Sequence, residues 1–192
     1  MPSDGRRIMK LDPKNNDEIS SVGDDLGGNR RKYIGTVVGI DGCVYGLPDH
    51  SFRIIKYDPN NGVTSYVGYN AHERVECYGG GALGRDECIY AVSRNDQILK
   101  IDTRNNSHSL VGIRASHNTT YGDAILGIDG CIYWTPKNDR RILKYDLMRN
   151  KLHSLGMSLV SILQNGVTDV WHLMESYIVF QQLLVGLFLS TH

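Results

Sequence analysis

The stretch Arg141-Ile142-Leu143-Lys144-Tyr145-Asp146 occurs in four versions along this chain of 192 residues. The other three versions are Arg7–Asp12, Arg53–Asp58 and Gln97–Asp102, and their lysines are separated by 46, 44 and 44 residues. A repeat of this length that is built from short strands is typical of the blades of a β-propeller. The repeat therefore predicts an all-β fold of propeller blades.

A second repeated element keeps the same register. Cysteine and tyrosine recur together in Cys43-Val44-Tyr45, Cys88-Ile89-Tyr90 and Cys131-Ile132-Tyr133, and another tyrosine stands ten residues before each cysteine. In the first full unit, turns at Asp41-Gly42, residues 49–51 and residues 58–62 separate four apolar runs. Asp, Asn, Gly and Pro favour such turns because of their backbone preferences. Each unit is therefore predicted to be four short antiparallel strands.

The domain organisation follows from the repeats. Residues 1–156 are predicted to hold a half blade at 6–23 and full blades at 33–68, 78–112 and 121–156. About three and a half blades are fewer than the ~4–8 that close a propeller. The predicted small or partial propeller could close as a four-blade ring with the C-terminal segment, stay open as an arc, or pair with another chain. An open arc favours self-association through its open blade edges.

Residues 157–192 diverge from the repeat, and three interpretations stay open. The segment could form a degenerate strand pair, including residues 176–180, that completes the half blade. It could form a helix or irregular cap, since Leu173, Tyr177, Leu184 and Phe188 follow helical spacing. It could be an apolar tail that touches a membrane at residues 177–189, although polar residues keep the run shorter than the ~20 residues of a spanning helix. A truncated or mistranslated gene model is a further explanation for the divergence of residues 157–192.

Charge and composition limit the class of partner. Lys+Arg and Asp+Glu both number 21, so the formal net charge is zero. Binding to nucleic acid is not expected without a basic excess, and membrane binding is disfavoured. The N-terminus lacks the apolar run of a signal peptide, so a cytoplasmic location and reduced thiols are expected. The expected partner is an unidentified protein or a small-molecule ligand.

The four register lysines are the candidate ligand-binding residues. An aspartate follows two residues after each lysine, and residues i and i+2 of a strand project to the same face. The favoured interpretation is that each lysine and its following aspartate neutralise each other at a strand end. The alternative is a ring of lysines, facing the channel or the strand ends, that holds an anion such as a carboxylate or phosphate. These four lysines are Lys10, Lys56, Lys100 and Lys144.

Other candidates have simpler interpretations. Cys43, Cys88 and Cys131 are expected to pack as small apolar residues rather than to hold zinc, and Cys77 is expected to be incidental. The aspartate-rich turns at residues 12–17 and 58–62 are expected to be hairpin turns rather than calcium loops. His72, beside two glutamates, is expected to lie in a solvated loop. No catalytic residue, metal site or cofactor is predicted.

The order of the motifs resembles a known group of propellers. Asp129-Gly130-Cys131-Ile132-Tyr133, with Pro136 shortly after, precedes Arg141–Asp146. In the propellers of streptogramin lyase, NHL-repeat and gluconolactonase-like proteins, an Asp-Gly-x-Ile-Tyr strand precedes a Lys-Ile-Asp-Pro-x-Thr-Gly strand. The chain is most similar to uncharacterised proteins that repeat the first of these motifs. The resemblance covers residues 6–156, although Thr103 and Leu147 replace the proline of the second motif.

The resemblance implies a propeller but leaves the activity open, because this fold serves many functions. The enzymes of the group carry metal ligands or a catalytic histidine at the channel mouth, and no matching set of residues stands in this sequence. The favoured prediction is a non-catalytic scaffold that binds a protein or small ligand through blade loops. The alternative is a metal-dependent lyase or lactonase-like hydrolase with its site at the channel.

Overall fold

The described part of the chain is entirely β-structure. A computed structural model describes residues 1–51, 53–68, 77–93, 97–112, 121–137 and 141–155, and these ranges contain fourteen strands and no helix. No membrane-spanning helix is therefore found within them. His72 and the three interpretations of residues 157–192 lie outside the described residues. The predicted all-β fold is confirmed.

The strands form one two-stranded and three four-stranded antiparallel sheets. In every sheet the strands pair in chain order, so each sheet is a series of hairpins. We call the sheets the half blade (β1 and β2), blade 1 (β3–β6), blade 2 (β7–β10) and blade 3 (β11–β14). The strands are β1 (Ile8–Asp12), β2 (Glu18–Val22), β3 (Tyr33–Val38), β4 (Val44–Pro48), β5 (Ile54–Tyr57), β6 (Thr64–Val67), β7 (Cys77–Leu83), β8 (Cys88–Ser93), β9 (Ile98–Asp102), β10 (Ser107–Val111), β11 (Tyr121–Leu126), β12 (Ile132–Pro136), β13 (Ile142–Asp146) and β14 (Lys151–Leu155).

The turn between the first two strands of each blade requires a left-handed backbone. Gly42 and Gly130 occupy this position with φ of 76° and 78°. Glycine adopts this region without steric cost, whereas other residues pay for it in strain. Blade 2 has Glu87 at the same position with φ of 66°, and its N–H still donates to the carbonyl of Gly84 at 3.1 Å. The hairpin geometry is therefore kept even where the glycine is replaced.

The first strands of neighbouring blades meet backbone to backbone. Strand β7 contacts both β3 and β11. A Cβ on Gly79 would lie 2.5 Å from the carbonyl oxygen of Tyr121, and one on Gly35 would lie 3.1 Å from the Cα of Gly80. Such distances leave no room for a side chain, so glycine lets the inner strands converge. This convergence of inner strands is the packing of a partial propeller.

Apolar side chains fill the spaces between successive blades. We call the side of a blade that meets the next blade its front face, and the opposite side its back face. Both faces of the inner blades are buried, which explains why their strands lack apolar–polar alternation. The front of blade 1 and the back of blade 2 share a core of Val37, Cys43, Tyr45, Leu47, Ile54, Val67, Cys77, Ile89, Ala91, Leu99 and Ile101. The front of blade 2 and the back of blade 3 share a core of Cys88, Tyr90, Val92, Ile98, Tyr121, Ile132, Trp134, Leu143 and Tyr145.

The cysteines belong to these packed regions. All four are buried and carry free thiols. Cys77, which stands outside the repeat register, also has no exposed surface and lies in the core between blades 1 and 2. Within the described ranges, no three His, Cys, Asp or Glu side chains gather as a metal site would require.

The half blade and its connecting segment cover the back of blade 1. The N–H of Leu26 donates to the carbonyl of Arg6 at 2.7 Å, and the N–H of Lys32 donates to that of Ser3 at 2.8 Å. The buried ammonium of Lys32 donates to the carbonyls of Asp4, Gly27 and Asn29. These backbone oxygens satisfy a charge that would otherwise be costly to bury.

The glycine contact between inner strands can be tested by adding one methyl group. Gly79→Ala should lower the free energy of unfolding by about 1–3 kcal/mol, because the methyl group meets backbone atoms of β11 that cannot move aside. The measurement is chemical denaturation. Gly28→Ala is the matched control, since the nearest atom to its Cβ is a flexible arginine nitrogen at 3.8 Å. Equal stability of the two variants would contradict the close packing.

Candidate functional site

The predicted lysines lie away from the inner strands. Lys56, Lys100 and Lys144 stand on the third strands β5, β9 and β13, whereas the strands that converge between blades are the first ones. Lys10 stands on β1 of the half blade. Ligand binding by these lysines stays a prediction, and the structure shows what each ammonium group contacts.

In blade 1 the lysine is held by an aspartate and a tyrosine. The Nζ atom of Lys56 lies 2.7 Å from Oδ2 of Asp41, and it also lies 5.5 Å from the ring centroid of Tyr45. The hydroxyl of Tyr45 donates to the same carboxylate oxygen at 2.8 Å. An ion pair and a hydrogen bond therefore meet at one carboxylate, and a cation–π contact joins the lysine to the tyrosine.

Blades 2 and 3 repeat this arrangement, which we call the Asp–Tyr–Lys cluster. In blade 2, Asp86 accepts from Tyr90 at 2.7 Å and from Lys100 at 3.0 Å. In blade 3, Asp129 accepts from Tyr133 at 2.7 Å and from Lys144 at 2.8 Å. The lysines lie 5.5 and 5.1 Å from the centroids of their tyrosine rings. The Asp-Gly-Cys-Ile-Tyr motif thus supplies the aspartate and the tyrosine of the cluster, and the third strand supplies the lysine.

The second carboxylate oxygen of each aspartate fixes the turn. Oδ1 of Asp41 accepts the N–H of Cys43 at 3.2 Å, and Oδ1 of Asp129 accepts that of Cys131 at 3.1 Å. Gly39 stands where a Cβ would lie 2.6 Å from Oδ1 of Asp41. One aspartate therefore shapes the inner hairpin and joins its second strand to the third strand.

Pairing between each lysine and the aspartate two residues later, as predicted, is found for Lys10 alone, whose Nζ lies 3.2 Å from Asp12. In the three full blades the interpretation was wrong, because the neighbouring strand brings a different carboxylate closer. Asp58 instead accepts the N–H of Asn60 at 2.9 Å, and Asp146 accepts that of Met148 at 3.0 Å. These aspartates stabilise the turn between the third and fourth strands.

The pKa values of the cluster side chains are shifted in directions that make these side chains unreactive. Burial alone would raise the pKa of Asp129, but hydrogen bonds from Lys144, Tyr133 and the backbone outweigh it and hold the pKa well below its usual range. The hydrogen bond to Asp129 raises the pKa of Lys144. Burial and then the adjacent carboxylate raise the pKa of Tyr45. The lowered pKa of each aspartate and the raised pKa of each tyrosine keep the carboxylates ionised and the tyrosines neutral around neutral pH, so these groups supply no activated base or nucleophile.

A different group of side chains lies at the opposite end of blade 1. Asp49 follows β4 directly, whereas Asp41 precedes it, so the two aspartates lie at opposite ends of this strand. The carboxylate of Asp49 is buried; its Oδ2 accepts from Nε and lies near Nη2 of Arg31, both at 3.1 Å. Its Oδ1 lies 2.9 Å from Nδ1 of His50. We call Arg31, Asp49 and His50 the loop-face cluster.

The backbone holds the loop-face cluster rigidly. The N–H of Asp49 donates to the carbonyl of Lys32 at 2.9 Å, and the N–H of His50 donates to that of Arg31 at 2.8 Å. Arg31 has a φ of 54°, a conformation that is uncommon for a residue other than glycine. Backbone strain of this kind is enriched at functional sites. A strained residue beside a buried carboxylate makes this cluster the candidate functional site.

The cluster presents two polar groups to solvent. The side chains of Arg31 and His50 are 59% and 47% exposed, while that of Asp49 is 5% exposed. Among the described residues, Nε2 of His50 has no hydrogen-bond partner. In the neutral imidazole with its proton on Nδ1, the Nδ1–H group donates a hydrogen bond to Asp49, and Nε2 is left as an acceptor or base. The arrangement can bind an acceptor group through arginine and exchange a proton through histidine.

The repeat pattern of the sequence did not predict this cluster. His50 was assigned only to a turn, and Arg31 to the segment before the first full blade. The two residues are 19 positions apart, and neither recurs in the repeat register. A signal existed in the Asp49-His50 pair directly after a strand-ending proline, but the burial of Asp49 depends on Arg31 and could not be read from that pair.

The inner strands carry few side chains that are common metal ligands or catalytic groups. In β3, β7 and β11, the side chain of Asp123 is the one carboxylate, and these three strands contain no histidine. A metal site at the channel would need oxygen or nitrogen ligands from several blades. These described inner strands therefore supply one carboxylate and no imidazole to such a site.

The Asp–Tyr–Lys clusters predict an acid-dependent loss of stability. The folded pKa of Asp129 is below the value of about 3.9 in an unfolded chain. Its stabilising contribution is therefore fully present above that value and is lost as the pH falls through the lower folded pKa. Asp129→Asn should lower the free energy of unfolding by about 1–3 kcal/mol at neutral pH and flatten its decline in acid.

Denaturant unfolding measured between about pH 6 and pH 2 tests this expectation. Asp17→Asn is the control, because it makes the same chemical change at an exposed turn residue without a hydrogen bond or ion pair to described residues. Its curve should run parallel to that of the unmodified chain. A parallel curve for Asp129→Asn would show that the cluster does not contribute.

Comparison with known proteins identifies the fold but not the activity. No family model matches the sequence, and no curated protein matches it. Virginiamycin B lyase from Staphylococcus aureus is structurally similar, with a TM-score of 0.64 and 14% identity over 81% of this chain and 50% of that chain. A streptogramin B lyase gives 0.62 and 17% identity over 81% and 49%.

A second structure of the Staphylococcus aureus lyase contains a catalytically inactive variant, with a histidine replaced by alanine, together with quinupristin. It has a TM-score of 0.62 and 15% identity over 79% of this chain and 49% of that chain. This chain thus spans about half the length of the lyases that it matches. The predicted resemblance to streptogramin lyase propellers is confirmed at the level of fold, and the chain is a partial β-propeller.

Proposed function

We propose that this protein is a non-catalytic propeller scaffold that binds a protein or small ligand through the loop-face cluster. The observation that carries the proposal is the buried Asp49, which holds Arg31 and His50 side by side at the surface. A binding site benefits when its polar groups are fixed before the ligand arrives, because less entropy is lost on association. The two backbone hydrogen bonds beneath the cluster provide that preorganisation.

The chemistry of the cluster favours a ligand with a carboxylate or similar anionic group. A guanidinium binds such groups through charge-assisted hydrogen bonds. The lysines of the full blades are less suited to this task, because their side chains are only 17%, 32% and 24% exposed, against 59% for Arg31. The balanced formal charge supports a localised interaction rather than the broad electrostatic attraction of a nucleic-acid-binding surface.

A titration with two anionic probes tests the proposal. Citrate represents a small carboxylate, and a short polyglutamate peptide represents an acidic protein segment. At constant ionic strength, at least one probe should bind the full chain, and Arg31→Ala should weaken binding by about ten-fold or more, the size expected for a lost charge-assisted hydrogen bond. Isothermal titration calorimetry gives the affinity.

Arg149→Ala is the matched control for this titration. Arg149 also pairs with a mostly buried aspartate, Asp146, at 2.7 Å, but it lies at the turn between the third and fourth strands. Its removal should leave the affinity unchanged. If neither probe binds, or if both variants lose affinity equally, the loop-face cluster is not the binding site.

The second candidate is a lyase or hydrolase that uses His50 as its proton-transferring group. The supporting observation is the hydrogen bond from Nδ1 of His50 to the carboxylate of Asp49, which leaves Nε2 directed away from that carboxylate and without a described partner. A histidine oriented in this way can act as a general base or acid. The fold similarity to lyases gives this candidate a substrate with which to test it.

Quinupristin provides the experiment that separates the two candidates. The chain is incubated with quinupristin in the presence and absence of Mg²⁺, and the products are analysed by mass spectrometry. The scaffold proposal expects no conversion even with protein in excess. Conversion by the unmodified chain that is lost in His50→Ala but kept in His153→Ala would favour the enzyme. His153 is a suitable control because it lies on the outer strand β14.

A further inference from the structure

The half blade exposes apolar side chains at positions that are buried in every full blade. On the back face, the third strand contributes two side chains per blade, and none of these six is more than 8% exposed. Met9 and Leu11 occupy the same two register positions in β1 and are 62% and 58% exposed. The six buried equivalents are Ile55, Tyr57, Leu99, Ile101, Leu143 and Tyr145.

A third side chain extends this exposed surface. Ile19 of β2 pairs directly with Leu11 across the sheet, so both side chains lie on the same face, and Ile19 is 65% exposed. Ile8, which projects to the other face, is 5% exposed and packs toward blade 1. We call Met9, Leu11 and Ile19 the open back face. Adjacent exposed apolar side chains of this kind mark an interaction surface.

The opposite end of the stack carries the complementary surface. In blades 1 and 2, the apolar front-face residues of the second and third strands are almost fully buried by the next blade. In blade 3 the equivalent residues Tyr133, Thr135 and Ile142 are only partly buried. The described part of the chain therefore has a front face at one end and a back face at the other. These are the two kinds of face that pack together between its blades.

We propose that a second copy of this chain docks head to tail, with the front face of its blade 3 on the open back face. Two copies make two identical contacts, and together they contribute six full blades and two half blades. That number of units falls within the range of about 4–8 that closes a propeller. A closed pair leaves no end face open.

The proposal is independent of ligand binding, because the loop-face cluster and the open back face share no residue. The test is sedimentation velocity of the full chain over a wide concentration range. The expected species has twice the 21.5 kDa mass of one chain. Leu11→Glu should weaken the association by at least ten-fold, since it places a charge in an apolar contact. Met9→Glu should have the same effect.

Met148→Glu is the matched control. This methionine is 96% exposed but lies in the turn between β13 and β14, away from both end faces. Circular dichroism melting should show that all three variants fold like the unmodified chain, because each substitution replaces an exposed side chain. A monomer at all concentrations, a dimer that survives Leu11→Glu, or an open-ended polymer would overturn the proposal.

Discussion

The hydrogen bonds that converge on one aspartate in each inner hairpin are the interaction on which the rest of the blade depends. In blade 1, Asp41 shapes the turn through Cys43, orients Tyr45 and neutralises Lys56. A single carboxylate therefore determines the hairpin and the attachment of the third strand. Because the same contacts recur in blades 2 and 3, each blade acquires the same shape and can pack on its neighbour with the same front and back faces.

The two ends of blade 1 carry different kinds of polar group. At the end with the Asp–Tyr–Lys clusters, charged groups satisfy one another, and the carboxylates stay ionised around neutral pH. At the other end of blade 1, the polar groups of the loop-face cluster do not belong to the repeat. A repeated scaffold provides rigid support, while residues outside the repeat supply specific contacts. The site that distinguishes this protein from other propellers is therefore expected among residues that break the register.

Much of the fold followed from the sequence, because the repeat made each inference about one unit apply to the others. The four-stranded blades and their turns match the pattern of apolar runs and turn residues. The partner of each lysine did not follow from it. The aspartate two residues away was close in sequence, but Lys56 lies across from the hairpin that carries Asp41. Strand pairing, which the local pattern does not specify, decides between the two carboxylates.

The sequence by itself determined the blade, since the spacing of lysine, aspartate, cysteine and tyrosine reflects contacts that form within one sheet. Only the tertiary structure decided what lies between and beyond the sheets. The close approach of glycines on the inner strands, the burial of Asp49 beneath Arg31 and the exposure of Met9 and Leu11 all depend on where separate sheets and segments meet. Burial is a property of the assembled stack, so residues with the same place in the repeat can be covered in one blade and open in another.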